Sequence, residues 1–223
     1  MFPNRRGDTI PDPRGRIAPR STITPALLVA GAVATVTTTW AAATGAIDAA
    51  DRIGFRAMNT LPDSLFGPMW LLQTTGVLAA PAVVAVVALL FRRYRLTAAS
   101  MLLIPAKLIL EREVLKELVH RPRPAVSMPD PVLRDVATTG DAFPSGHAVI
   151  LFGIATVLAA YLPTRGCVVA FVVATLAASA RIYLGAHTPL DVLGGAAAGV
   201  LLGAGITLVL DRIPAFGSRG AGS

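Results

Sequence analysis

Three short clusters in this sequence carry residue types that can bind and cleave a phosphate group. The first is Lys116 with Arg123-Pro124, seven residues on. On a helix that interval is about two turns and returns to one face, so two cations would be aimed at one spot, with Pro122 and Pro124 ending the helix. The second is Pro144-Ser145-Gly146-His147. Serine is a good N-cap, glycine lets a ligand approach the backbone, and free N–H groups at a helix start bind phosphate without a side chain. His147 adds a proton donor in the first turn. The third runs from Arg181 to His187 and Asp191. Pro189 suits the first position of a helix. Asp191, four residues beyond His187, could then accept a hydrogen bond from one ring nitrogen and leave the other free to attack.

Each cluster also has a plainer reading. Lys116 and Arg123 could be cations reaching for a membrane surface, Pro144 to His147 an ordinary capped helix, and His187 with Asp191 a structural contact at a helix start. Together, however, they hold three cations, two histidines, one carboxylate and a helix N-terminus. That is the inventory needed to hold a phosphate dianion, attack it and protonate its leaving oxygen.

The elements that must position them are membrane helices. Of the 223 residues, 54% are hydrophobic and only 15% charged, against about a quarter charged in a soluble domain. A helix spans a bilayer with about 20 apolar residues. Ser21 to Ile47 and Ser64 to Phe91 hold no charged residue. Leu96 to about Val119 starts apolar and turns charged after Ala106. Ala148 to Leu162, Gly166 to Ala180 and Val192 to Leu210 complete six expected spans, the first two of these short enough to need polar ends in a protein-lined cavity. The fold class expected is therefore an all-α membrane protein with six transmembrane helices over 21–212. Arg- and Pro-rich residues 1–20 read as a disordered tail, and 213–223 as a flexible end. The first run is nearly twice the length of a signal-peptide core, so an uncleaved span is expected.

The net charge is +7, yet the arginines cluster at the ends of apolar runs, which fits membrane topology rather than nucleic acid. Arg5 to Arg20, Arg92 to Arg95, Arg165, Arg212 and Arg219 all fall on one side if six helices alternate. Counting positive charge places both termini in the cytoplasm. The loops at Asp48–Gly67, His120–Gly146 and Arg181–Thr188 then face outward, and the three clusters lie on that side. Cys167 is the only cysteine, so no internal disulfide forms. The chain has no CxxC pair, HExxH or P-loop on which metal or nucleotide chemistry would rest.

The third run carries Lys107, Glu111, Arg112, Glu113, Lys116 and Glu117. A charge at mid-bilayer costs about 2.5–3.5 kcal/mol, so these must pair, lie at the interface or face a wet cavity. Lys107 and Glu111 read as a helical ion pair four residues apart. Gly195, Gly199 and Gly203 form a small-residue stripe on the last helix. Packing within the bundle is its favoured use, and a homodimer interface the alternative.

In order and spacing the three clusters resemble the motifs of the type 2 phosphatidic acid phosphatase superfamily, which also includes vanadium haloperoxidases. The family pattern KxxxxxxRP, PSGH and SRxxxxxHxxxD is met by Lys116 with Arg123-Pro124, by Pro144 to His147, and by Arg181, His187 and Asp191. One position departs: Ala180 stands where the pattern has serine. Arg121-Pro122 is a competing RP pair, and the spacing leaves Arg121 a secondary candidate. His120 takes no family role.

The resemblance implies a metal-independent lipid phosphatase with no cofactor. His187 would be the nucleophile, Asp191 would orient it, and His147 would protonate the leaving group. Lys116, Arg123, Arg181 and the backbone at Ser145 and Gly146 would bind phosphate. It implies as substrate a lipid phosphate or diphosphate held in the plasma membrane, with a polyprenyl diphosphate favoured over phosphatidic acid or phosphatidylglycerol phosphate. A phosphotransferase using the same intermediate and a non-enzymatic transporter are the alternatives. A haloperoxidase is disfavoured because those relatives are soluble.

Overall fold

The structure, a computed structural model, describes residues 24–213. The tails expected at 1–20 and 213–223 fall outside that range, Ile213 excepted. Among the described residues there is no strand element. The chain runs α1 (Thr24–Thr44), α2 (Asp48–Asn59), α3 (Phe66–Thr74), α4 (Ala80–Leu90) and α5 (Tyr94–Leu108). A π-helical stretch (Ile109–Leu115) continues α5 into the short α6 (Lys116–Leu118). Then come α7 (Pro124–Ser127), α8 (Gly146–Ala159), α9 (Thr164–Tyr183) and α10 (Pro189–Arg212).

Three of these helices, α1, α9 and α10, are long and apolar enough to cross a membrane, and α4 and α8 are shorter apolar helices. Val33 and Val36 of α1, Leu90 of α4 and Val169 of α9 point outward and are well exposed. In water such faces would be a liability; against lipid they are the expected surface.

The run from Ser64 to Phe91 is not one helix. α3 stops at Thr74, and α4 begins at Ala80. Pro81 is the reason on one side: inside a helix its ring would strike the carbonyl four residues back, and here it sits in the first turn of α4 instead. On the other side, the hydroxyls of Thr74 and Thr75 donate to the Leu71 and Leu72 carbonyls at 2.6 and 2.7 Å, and Gly76 follows. That break is in contact with the site, since a Cβ on Gly76 would lie 3.0 Å from Cδ2 of His147.

The glycine stripe of α10 packs within the bundle. A Cβ on Gly195, Gly199 or Gly203 would come within 2.4–2.8 Å of α8 backbone at Ser145, Val149 and Gly153. Backbone thus meets backbone with no room for a methyl group, and α8 is locked against α10 at one fixed register. At one end of this pair lie both helix starts, Gly146 and Pro189. At the other end, Arg95 at the start of α5 pairs with Asp211 near the end of α10.

Candidate active site

α8 begins at Gly146 because Ser145 takes an extended backbone and its carbonyl accepts the Val149 N–H at 3.1 Å. The serine hydroxyl, however, caps nothing. It is fully buried and makes no hydrogen bond. Main chain fastens the residue instead: the Ser145 N–H donates to the Asp191 carbonyl at 2.9 Å, tying the start of α8 to the first turn of α10.

α10 begins with a reciprocal cap. Thr188 Oγ1 accepts the Asp191 N–H at 3.4 Å, and Asp191 Oδ2 accepts the Thr188 N–H at 2.8 Å. His187 Nδ1 lies 3.7 Å from Asp191 Oδ2, longer than a hydrogen bond, and that oxygen also serves the cap. The nucleophile candidate is thus adjacent to its carboxylate without a direct bond. His187 is buried. Burial pulls its pKa below the ordinary 6.5, and Asp191 opposes the shift without overcoming it. The ring is accordingly neutral at neutral pH, the form that can attack.

Arg181 closes α9, and its carbonyl accepts the N–H groups of Ala186 and His187 at 3.0 and 3.3 Å. Its guanidinium is buried and bonds the Gln73 side chain of α3. Arg123 donates from Nε to the Thr139 carbonyl at 2.8 Å and from Nη1 to the Ala186 carbonyl at 3.1 Å. It therefore joins the His120–Gly146 loop to the turn that carries His187. The two-turn helical register expected between Lys116 and Arg123 does not hold. Helix ends at Leu118 and Val119 is extended, so Arg123 reaches the site along a proline-flanked loop.

Lys116 is placed by the π-helical stretch. Glu111 Oε1 lies 3.0 Å from Lys116 Nζ, and Glu111 Oε2 lies 2.5 Å from Lys107 Nζ. The expected Lys107–Glu111 pair is present, but Glu111 also holds Lys116. Five residues separate that pair, an interval that π-helical i→i+5 geometry stacks and α-helical geometry does not. The carboxylate reaches the start of α8: a Cβ on Gly146 would lie 2.8 Å from both its oxygens.

All three clusters meet at this end of the bundle. His147 lies within electrostatic reach of Arg181, His187, Lys107 and Arg123, and Arg123 within reach of Asp191 and Glu111. Arg134 clips the surrounding loops together. It donates to the Tyr183 and Asn59 carbonyls at 2.7 and 2.9 Å and pairs with Asp63 at 2.9 Å. The arrangement presents cations, two imidazoles and free helix N–H groups to one spot, which suits a phosphoryl group.

The sequence pattern of the PAP2 superfamily matches residues 93–214, more than half of the chain and all three clusters. The chain belongs to the PAP2 superfamily. It is 30% identical over 129 residues to an undecaprenyl-diphosphatase of Sulfolobus acidocaldarius, a match covering 58% of this chain and 61% of that protein. The chain thus spans less than two thirds of that curated relative. Among solved PAP2 structures it is similar to LpxE of Aquifex aeolicus, with TM-score 0.62 and 28% identity, over 70% of this chain and 92% of that one. It also matches the fold of a transmembrane PAP2-type phosphatidylglycerolphosphate phosphatase from Bacillus subtilis, with TM-score 0.69 and 24% identity, over 83% and 96%.

Several polar residues at this PAP2 site were not singled out in the sequence. Gln73 holds Arg181, and nothing in an uncharged apolar run marks it. Asp48 and Asp51 open α2 and pair with Arg121 at 3.0 and 2.8 Å. The Thr188-to-Asp191 cap was legible as a threonine three residues before an acid.

Proposed function

We propose that the protein is an integral membrane phosphatase that hydrolyses a lipid phosphate or diphosphate through a phosphohistidine, with a polyprenyl diphosphate as substrate. The observation that carries the reading is the meeting of buried, neutral His187 with His147, Arg123 and Arg181 at two joined helix starts, with Lys116 tied to the α8 start through Glu111. In the first step His187 Nε2 attacks phosphorus. The bond to the leaving oxygen breaks, and His147, which takes up a proton as the phosphate dianion binds beside it, gives that oxygen its proton. In the second, water attacks the phosphohistidine while His147 takes a proton from it, and phosphate leaves with His187 restored. Asp191 stabilises the imidazolium that develops. Lys116, Arg123, Arg181 and the N–H groups that follow Ser145, at Gly146 and His147, hold the phosphoryl oxygens. The cations supply the charge stabilisation, so no metal is required.

Six crossings follow if α3–α4 and α5–α6 each count as one, with α1, α8, α9 and α10. Positive charge on the opposite end then puts both termini in the cytoplasm and the site on the outer face of the plasma membrane. An apolar groove of about 500 Å³ between α4, α8 and α9 begins one turn from His147, at Leu151. It favours a substrate whose tail stays in the bilayer. The relative from Sulfolobus acidocaldarius, an undecaprenyl-diphosphatase, supports the polyprenyl choice.

The test is phosphate release from polyprenyl diphosphate, phosphatidic acid and phosphatidylglycerol phosphate by purified wild type and His187→Ala. The variant should fold and release no phosphate, and turnover at the wild-type rate would remove the nucleophile. Phosphate appearing on an added lipid acceptor, in place of free phosphate, would make the enzyme a transferase.

A further inference from the structure

The sequence leaves Arg121 as a second arginine that could touch phosphate. Its surroundings give it different work. Nη2 lies 2.8 Å from Asp51 Oδ2 and 3.0 Å from Asp48 Oδ1. Nη1 lies 3.2 Å from Thr188 Oγ1 and 3.4 Å from Asp191 Oδ1. Three carboxylates thus surround one guanidinium, which leaves excess negative charge there and no inducement for a phosphate dianion. Arg121 also lines, with Asp48 and His120, a cleft of about 410 Å³ that neither His147, His187 nor Arg181 borders.

We infer that Arg121 and Asp51 are positioning residues that hold Asp191, and through it His187, from the side away from the phosphate; this rests on the phosphohistidine reading above. Asp191 is fully buried. The Thr188 N–H holds its Oδ2, and Arg121 holds its Oδ1. Asp51, itself buried, accepts the Leu190 N–H at 2.7 Å with its other oxygen. One salt-bridged pair therefore anchors both the carboxylate and the first turn of α10 to α2. The gap of 3.7 Å between His187 Nδ1 and Asp191 Oδ2 closes to a hydrogen bond with a movement of under about 1 Å. An error of about 1 Å in a catalytic group can cost 10²-fold in rate. Removing Arg121 strands two buried carboxylates and leaves the Thr188 cap to hold Asp191.

The experiment uses the full chain in detergent, with kcat, KM and thermal unfolding measured for Arg121→Gln, Arg121→Lys, Asp51→Asn, Asp191→Asn, the Arg121→Gln/Asp191→Asn double variant and His187→Ala. Arg121→Gln should lower kcat by roughly 30- to 100-fold with KM within about twofold. Arg121→Lys keeps the charge, cannot bridge the same acceptors, and should recover part of the loss. In the Asp191→Asn background Arg121→Gln should cost less than about twofold more. A raised KM with unchanged kcat would make Arg121 a phosphate contact and overturn the inference. So would a full multiplicative loss in the double variant, which marks an independent structural role.

If Arg121→Gln does not fold, Asp51→Asn decides: a loss in kcat alone supports the inference, and wild-type kcat overturns it. If Asp191→Asn releases too little phosphate to compare, the division between kcat and KM in the single variants decides. An active His187→Ala would fail the parent reading. A dead His187→Ala with multiplicative losses would fail this inference alone.

Discussion

Gly146→Ala tests whether the start of α8 is shaped around Glu111. Backbone strain is not at issue, since Gly146 is not among the positive-φ glycines, and alanine is the better helix former by about 1 kcal/mol. The added methyl carbon would lie 2.8 Å from both Glu111 carboxylate oxygens, where ordinary contact begins at 3.4 Å. The carboxylate must therefore retreat by about 0.6 Å. It is not a loose chain end, because Lys107 at 2.5 Å and Lys116 at 3.0 Å hold it, so Lys116 is displaced with it. If a 1 Å error costs about 10²-fold, this one costs roughly 10- to 30-fold.

The assay is kcat/KM for phosphate release in detergent, alongside thermal unfolding. The expected result is a 10- to 30-fold fall with no loss of melting temperature. Glu111→Asp withdraws the carboxylate by about 1.5 Å, one C–C bond, and should by itself lower kcat/KM at least as far, because Lys116 loses the same hold. Gly146→Ala with kcat/KM within twofold of wild type would refute the reasoning. So would Glu111→Asp at the wild-type kcat/KM, since Lys116 would then not depend on that carboxylate.

Three further outcomes are expected. His187 attacks only when neutral, and burial lowers its pKa from 6.5; the acidic limb of kcat/KM should fall below pH 6.5. Over that window the unfolded chain takes up a proton that the folded one refuses, so stability measured by thermal unfolding should also drop as pH falls. Vanadate, which mimics pentacoordinate phosphorus, should inhibit, and EDTA should leave phosphate release unchanged; loss with chelator and recovery with magnesium would point to different chemistry. Gly195→Ala puts a Cβ 2.4 Å from the Ser145 carbonyl oxygen, a backbone atom that cannot swing away. It should destabilise the protein by about 1–3 kcal/mol, read as a lowered melting temperature.

The residues proposed to bind phosphate could be picked out from spacing because their types are expensive in a membrane. A cation or histidine near an apolar run must have a partner or a purpose, so Lys116, Arg123, His147, Arg181 and His187 stood out before any geometry was known. Their supporting groups did not. Gln73 is uncharged and sits in an apolar stretch, and its value lies in facing Arg181 across the bundle. Glu111 had a sufficient partner four residues back in Lys107, which hid its second one. Only the π-helical turn, a backbone choice that side-chain periodicity does not announce, brings Lys116 to it. The break between α3 and α4 was encoded by Pro81 and Gly76, but hydropathy over Ser64 to Phe91 averages across it.

The same reasoning applies to Asp191. A histidine and an aspartate four residues apart imply a contact on a helix, but His187 lies before the helix begins, and Asp191 is the third residue inside it. At that position a carboxylate turns back to the N-cap N–H first, and the imidazole gets what remains. The cap, Arg121 and the Leu190–Asp51 bond then act together. Each satisfies a polar group that neither lipid nor a dry core could satisfy, and each removes one freedom from the carboxylate beside His187. Holding the proposed nucleophile and burying charge are, at this helix start, one structural requirement.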